Sequence, residues 1–362
     1  MQRHLLLVGG GHAHVEVLRH FAAKPLPGWR LTLLTREAHS PYSGMLPGVI
    51  AGLYREEQAL IDIQALAARA GAEAVIDRAT GIDLAARRVH RAGGEARPFD
   101  LLSIDTGATP DTAGVPGAAR HALPLKPIDA LLPRLRALLE AAPARLGVVG
   151  AGAAGVEVAL ALRARLPSAS VTLVAGVAGV LPGFPDKARA RATEALAARR
   201  IAIQQGEDVA EVVAEGLVFP RAAPLALDAV LWATGAAAPA WLAETGLERD
   251  RAGFLRVDAC LRAIGQDRIF ACGDCAGFDP QPLPKAGVVA VRQGPVLARN
   301  LRAAAEGHAP RPYRPQSDWL VLLSLGDRRA IGTRNGVVVS GRAAWWLKDR
   351  IDRRFMARYQ GA

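Results

Sequence analysis

The sequence predicts an α/β protein in which two Rossmann-like parallel sheets are followed by a small α+β region at the C-terminal end. Three observations predict it. The apolar run Leu5-Leu6-Leu7-Val8 meets Gly9-Gly10-Gly11 and then a helical pattern, His12-Ala13-His14-Val15-Glu16. The same design recurs as Leu146-Gly147-Val148-Val149, Gly150-Ala151-Gly152 and Ala153-Ala154-Gly155-Val156-Glu157. Two further strand-like runs, Phe99 to Asp105 and Ala229 to Trp232, each end in Thr-Gly, at Thr106-Gly107 and at Thr234-Gly235.

A strand that feeds a glycine turn and a helix is how a dinucleotide site is built. The turn lets the backbone approach a pyrophosphate, and the helix aims its unpaired N–H groups and positive dipole end at it. Two such Rossmann-like units in 362 residues imply two dinucleotide ligands. The first turn reads Gly9-x-Gly11-x-x-His14. Its third position is normally Gly or Ala, so that helix and strand pack closely. With His14 there, either the helix stands further off or His14 works near the ligand. No third metal ligand stands at useful spacing from His12 and His14, and no metal site is expected. The next strand is Leu31 to Leu34. A carboxylate ordinarily follows to hold the adenosine ribose; here Thr35 and Glu37 are the candidates. Pro41 to Gly48 is dense in Pro and Gly and reads as a shaped loop, either an ordinary connection or one that reaches the reactive end of the ligand.

Ile61 to Ala70 reads as a helix and Ala74 to Ile76 as a strand. Arg88 to His90 and Phe99 to Asp105 read as strands around the turn Ala92-Gly93-Gly94. Gly114, Pro116 and Gly117 mark a crossing between domains, and Asp129 to Ala142 is helical by pattern. The second glycine turn keeps Gly150, Gly152 and Gly155. Its next strand, Val171 to Val174, runs into Ala175-Gly176, which lacks both the acid expected for the ribose of NAD and an Arg for a 2′-phosphate. Lys187 to Arg200 is a basic amphipathic helix with a solvated face. Arg268 to Ala276 holds a short strand ending at Gly273-Asp274, where a carboxylate could accept hydrogen bonds from polyol hydroxyls. Leu283 to Gln293 opens a helix running to about Ala305, whose N-terminus favours negative charge nearby. Cys272 and Cys275 straddle the Gly-Asp turn and read as small buried thiols.

Hydrophobic content of 51% supports real cores. The formal charge of +11 comes without a basic stripe or a stacking surface, and aromatics are only 5%, so nucleic-acid binding is not expected. Three cysteines make no disulfide framework and suit a reducing, cytoplasmic setting. The opening residues enter a strand at once, and no signal peptide is expected. The longest uncharged run, between Arg165 and Asp186, is broken by Pro and Gly and reads as strand plus loop. After the linker Arg311 to Pro315, strands are expected near Trp319 to Leu323 and Gly336 to Ser340. The chain then closes on a helix rich in Trp and Arg. From Gly341 on, six basic residues face two acids. Such a helix could lie on an anionic membrane surface, or dock on the body of the protein or on a partner subunit, as in a homodimer.

Two glycine turns, two strand-Thr-Gly crossings and a Gly-Asp turn, in this order, resemble the two-dinucleotide-domain flavoprotein oxidoreductases. Gly9-Gly10-Gly11-His12-Ala13-His14, Tyr42-Ser43-Gly44-Met45-Leu46-Pro47-Gly48 and Lys348-Asp349-Arg350-Ile351-Asp352 resemble the NADH-dehydrogenase-like module, which also occurs fused ahead of selenide, water dikinase. No kinase domain is expected after Ala362. The resemblance implies an FAD domain over 1–113 and 245–310, an inserted NAD(P)H domain over 114–244, and a C-terminal region over 311–362. It implies that Gly9, Gly11, His12, His14, Thr35, Glu37, Thr106, Gly107, Gly273, Asp274 and Lys285 bind FAD, with Asp274 on the ribityl chain. Gly150, Gly152, Gly155, Thr234 and Gly235 would bind NAD(P)H. Lys285, Gln293 and Glu157 would neighbour the flavin ring and the nicotinamide; none is required as an acid or base, because the flavin carries the chemistry. The cysteines that disulfide reductases and sulfide:quinone reductases need are missing. Type II NADH dehydrogenases carry an Ala-Gln pair in the helix after the Gly-Asp turn, where quinone binds. Here Gly287 and Val288 match it, with Ala290 and Gln293 nearby, so the acceptor is left as a quinone or another small molecule. The expected activity is hydride transfer from NAD(P)H to FAD, in the cytoplasm or on the inner membrane face. The competing expectation is a flavin-bound sensor or partner subunit with little turnover.

Overall fold

Residues 2–360 are described by the computed structural model. The first sheet has five parallel strands, in the order Ile269–Ala271, Leu101–Ile104, Arg3–Val8, Trp29–Thr35, Ala72–Ile76. Its central strand is apolar without alternation because helices and loops cover both faces, and Leu5, Leu6 and Leu7 are fully buried. Helices His12–Ala23 and Gly287–Glu306 pack against each other on one side. A side chain at Gly294 would press on Glu16 Cβ at 2.7 Å, so this glycine permits the close approach.

The second sheet repeats the plan with the parallel order Ala122–Pro124, Ala229–Trp232, Arg145–Val149, Ser170–Gly176, Ala202–Gln205. Because Ile269–Ala271 returns to pair with Leu101–Ile104, the second sheet is an insertion in the chain path of the first. Outward and return passages pair with each other, Thr109–Pro110 against Ala236–Ala237. This is the α/β architecture the glycine turns predict. Each sheet has its own apolar core. The C-terminal piece joins them: Trp345, Phe355 and Met356 belong to the first core and Leu323, Leu325 and Ile331 to the second.

Several local expectations are corrected. The hairpin partner of Arg88–Arg91 is Gly94–Pro98; Leu101–Ile104 passes on into the parallel sheet. The segment read as a shaped loop holds a 3₁₀ turn, Ser43–Met45, and a short helix, Leu46–Ile50. Pro47 sits in that helix's first turn, where a missing N–H costs nothing. In the C-terminal piece a middle strand, Ala330–Arg334, pairs with both Val321–Ser324 and Val337–Gly341. Its Gly332 and flanking arginines hide it from a hydrophobic pattern. Between Arg165 and Asp186 the chain forms a strand and a loop. Among the described residues no helix is long and apolar enough to cross a membrane.

The last helix, Arg342–Gln360, divides its faces sharply. Ala344, Trp345, Lys348, Asp352, Phe355, Met356 and Tyr359 are buried on the body. Trp346, Leu347 and Ile351 face outward, Trp346 at 63% exposure, in one surface with Arg342, Arg350, Arg354 and Arg358.

Candidate active site

A cavity of about 540 Å³ opens at the carboxyl ends of the first sheet, well within the roughly 300–1,000 Å³ of small-ligand clefts. Its walls come from the Gly9 to His12 turn, the strand end Thr35 to Glu37, the run Asp105 to Gly107, Asp274, Lys126, and the first turn of the helix that begins at Gly287. Thus Gly9, Gly11, His12, Thr35, Glu37, Thr106, Gly107 and Asp274 line one space.

The turn has the shape a bound pyrophosphate needs. Gly9 adopts φ +98°, and a side chain there would collide with the Asp105 backbone. One at Gly11 would collide with the Asp105 carboxyl. Asp105 Oδ2 accepts from Ala13 N at 2.9 Å and His14 N at 3.1 Å, so it caps the helix from below. Burial pushes its pKa up to about 7. Sequence reasoning gave Asp105 no role; its place just before Thr106-Gly107 was the available signal.

His12 and His14 differ in role. The His12 ring lines the cavity beside Tyr42, at 5.8 Å between centroids, and Phe355. Its Nε2 is buried without a partner among the described residues. Burial lowers its pKa to about 4, so the ring is neutral. His14 lies behind the turn and does not line the cavity, which corrects its expected contact with the ligand. Its Nδ1 lies 2.7 Å from Gly9 O and its Nε2 2.8 Å from Ser103 Oγ. A carbonyl can only accept, so Nδ1 carries the proton and Nε2 accepts from the serine. Burial holds this ring neutral as well, near pKa 4.

Three other expected neighbours also stand back. Gln293 is buried and accepts from Gly273 N at 2.7 Å through Oε1, fixing the Gly-Asp turn, whose Gly273 lies behind the wall. Lys285 folds away, donating to Ala276 O at 2.5 Å with its ammonium 3.7 Å from the Phe254 ring centre. Glu157 packs under the C-terminal piece, accepting from Ser324 N at 2.6 Å; burial pushes its pKa to about 7. Lys126 does reach the cavity, as do Arg36 and Arg78, and it pairs with Asp274 at 2.6 Å. A lone Lys before a Pro in the second unit carries no sequence signal for this. Cys272 and Cys275 are buried in the first core, and burial pushes the Cys275 thiol up to about 12.

One wall is braced from outside. Pro41 and Ser43 line the cavity, and their neighbours are tied to the last helix. Lys348 Nζ donates to Gly44 O at 2.7 Å and to Asp352 at 2.8 Å. Tyr42 donates to Asp352 at 3.1 Å and stacks on Phe355 at 4.3 Å.

The second glycine turn lies at the carboxyl ends of the second sheet, apart from this cavity. Gly150 has φ +101° and a side chain there would meet the backbone of Ala233 and Thr234; one at Gly155 would collide with Gly150 O. Gly152 faces open space. Thr234 and Gly235, on the return passage, adjoin Asp111 on the outward one.

Two parallel sheets, each with a glycine turn at its strand ends, and a roomy cavity on the first define an oxidoreductase of the two-dinucleotide-domain class. The chain belongs to the pyridine nucleotide-disulphide oxidoreductase family, whose description matches residues 3–294. It is 23% identical over 391 residues to a type II NADH:quinone oxidoreductase of Staphylococcus aureus, covering 99% of this chain and 96% of the relative. It is 24% identical over 358 residues to the NADH dehydrogenase-like protein YutJ of Bacillus subtilis, covering 96% and 97%. Among solved structures it is similar to NDH2 of Plasmodium falciparum in complex with NADH, with TM-score 0.82, 14% identity, and 100% and 99% of the chains covered. It is also similar to the sulfide:quinone oxidoreductase of Aquifex aeolicus, with TM-score 0.81, 16% identity, and 99% and 91% covered.

Proposed function

We propose that this chain is an FAD-dependent NAD(P)H oxidoreductase that delivers electrons to a quinone or another small acceptor. The observation that carries the reading is the first cavity, which joins a glycine cradle, a buried histidine nitrogen without a partner among the described residues and a helix N-terminus that no described side chain caps. Those groups fit FAD. Gly9 and Gly11 would admit its pyrophosphate, His12 Nε2 would meet a polar atom of it, Thr35 or Glu37 would take the adenosine ribose, and Asp274 the ribityl hydroxyls. Bound there, FAD would supply hydride acceptance from the pyridine nucleotide and electron release to the acceptor.

The chain's own groups set the conditions for that chemistry. The helix starting at Gly287 has no side-chain cap among the described residues, and the positive end of its dipole would favour negative charge at the ring end. Lys126 would add a second positive charge, held by Asp274. Gly150, Gly152, Gly155, Thr234 and Gly235 would receive the pyridine nucleotide. The names of the relatives support NADH as donor and a quinone as acceptor. The exposed Trp346, Leu347 and Ile351 among arginines support peripheral contact with an anionic membrane face. His14, now with two structural partners, no longer gives a ground for reading the chain as a low-turnover sensor.

The test is an absorption spectrum of the purified protein without oxygen, before and after NADH and then NADPH, followed by a quinone panel. Bleaching of a flavin band is expected. A bound flavin that neither donor bleaches would overturn the reductase reading, and failure to hold FAD after reconstitution would overturn the cavity assignment.

A further inference from the structure

The second unit lacks a carboxylate at the end of its second strand, where the adenosine ribose of a pyridine nucleotide is ordinarily held. Ser170–Gly176 ends in Ala175 and Gly176. The space a side chain at Gly176 would occupy is filled from the neighbouring strand. Ala202–Gln205 pairs parallel with Ser170–Gly176, Gly176 opposite Gln205, and Gly206 N donates to Gly176 O at 2.9 Å. Two residues on, the carboxylate of Asp208 overlaps the position of the missing Cβ. Its Oδ1 accepts from Val177 N at 3.2 Å. Oδ2 has no protein partner among the described residues, and the side chain is exposed at the strand ends, on the same edge as the Gly150 turn.

The neighbouring charges leave Asp208 alone in this position. Glu207 turns away to Arg221 N at 2.9 Å and Ala222 N at 3.4 Å. Arg189, the arginine of the following helix nearest this loop in sequence, is held by Val180 O and Asp186. No described cation is bonded to Asp208 or Val177.

We infer that Asp208 is the specificity-determining carboxylate for the pyridine nucleotide, supplied through space by the third strand instead of along the second. Oδ2 accepts a hydrogen bond from the 2′-hydroxyl of the adenosine ribose, and the charge repels the 2′-phosphate of NADPH. The inference rests on the reading of the second unit as the pyridine-nucleotide site.

Calorimetric titration of the FAD-loaded protein with NAD⁺, NADP⁺ and 2′-deoxy-NAD⁺ tests it without turnover. The native protein is expected to bind NAD⁺ tighter than either of the others by about tenfold or more, the size of one charge-assisted hydrogen bond. Asp208→Asn keeps an acceptor for Val177 N and removes the charge, so NADP⁺ should gain about tenfold. Asp208→Ala should weaken NAD⁺ and leave 2′-deoxy-NAD⁺ unchanged. Flavin content and melting temperature report that both variants are folded. If the nucleotides bind and both variants keep the native preference, the role of Asp208 is refuted while the second-unit reading stands. If no nucleotide binds the native protein, that reading fails and the inference with it.

Discussion

Replacing His14 with alanine should destabilise the first unit without touching the ligand space, and replacing His12 should weaken the ligand site with little loss of stability. The His14 ring is fully buried and both its nitrogens are bonded, to Gly9 O and Ser103 Oγ. Its removal strands a buried carbonyl and a buried hydroxyl, at about 1–3 kcal/mol for each group left unpaired. With the lost packing, the total is about 3–5 kcal/mol. For a unit of this size that lowers the melting temperature by roughly 6–20 °C. Among the described residues His12 has no bond through Nε2 to lose. His12→Ala should keep most of the stability and weaken FAD about tenfold or more, as removal of one hydrogen bond to a charged ligand does. Scanning calorimetry of both apoproteins, with FAD titration followed by fluorescence, separates the two. Native-like melting for His14→Ala, or native FAD affinity for His12→Ala, would refute the division of labour.

Other outcomes follow from the same geometry. Burial holds His4, His12 and His14 near pKa 4, against about 6.5 unfolded. Their contribution to stability is therefore complete above about pH 6.5 and is lost as pH falls toward 4. Asp105 opposes this. Its folded value is about 7 against about 3.9 unfolded, so its contribution is lost as pH rises from about 4 through 7. Asp105→Asn keeps the helix cap and removes that opposition, so the melting temperature should rise more steeply across pH 4–7 than in the native protein; superimposable profiles would refute the assignment. Lys348→Met strands the buried Asp352 and should cost about 3–5 kcal/mol, much of it regained when Asp352→Leu is added; melting temperatures of the single and double variants check this. The full chain should sediment with anionic phospholipid vesicles at low salt, less so after Trp346→Ser with Arg350→Ser. Failure of the native protein to bind would refute the membrane face.

How much of this was legible in the sequence depends on how far apart the cooperating residues lie. The glycine turns, their helices and the Gly-Asp turn are contiguous, and their pattern reports the backbone directly. Lys126 and Asp274 are 148 positions apart and meet only because the chain leaves the first sheet and returns to it. Lys285 and Gln293 were expected beside the flavin ring, but neither lines the cavity; their side chains fold to Ala276 O and Gly273 N, a choice of rotamer that spacing does not encode. The C-terminal helix was readable as amphipathic. That its buried face would clamp Tyr42 and Gly44, and so brace the cavity wall, depends on a contact spanning about 310 positions.

The two glycine turns show why a motif states a requirement in space and not a list of residues. In the second unit Gly155 must be glycine because Gly150 O lies where a side chain would start. In the first unit the equivalent carbonyl, Gly9 O, is instead met by the ring of His14, which satisfies it by a hydrogen bond. The same logic applies at the ends of the second strands. Neither unit has the usual acid there. The first presents Thr35, with Glu37 beside it in the cavity wall. The second presents Gly176, over which Asp208 leans from the next strand. In both units the departure from the pattern lies at a position that a neighbouring group can fill. A departure at Gly9 or Gly150 would have no such remedy, because the obstacle there is backbone, of Asp105 in one unit and of Ala233 and Thr234 in the other.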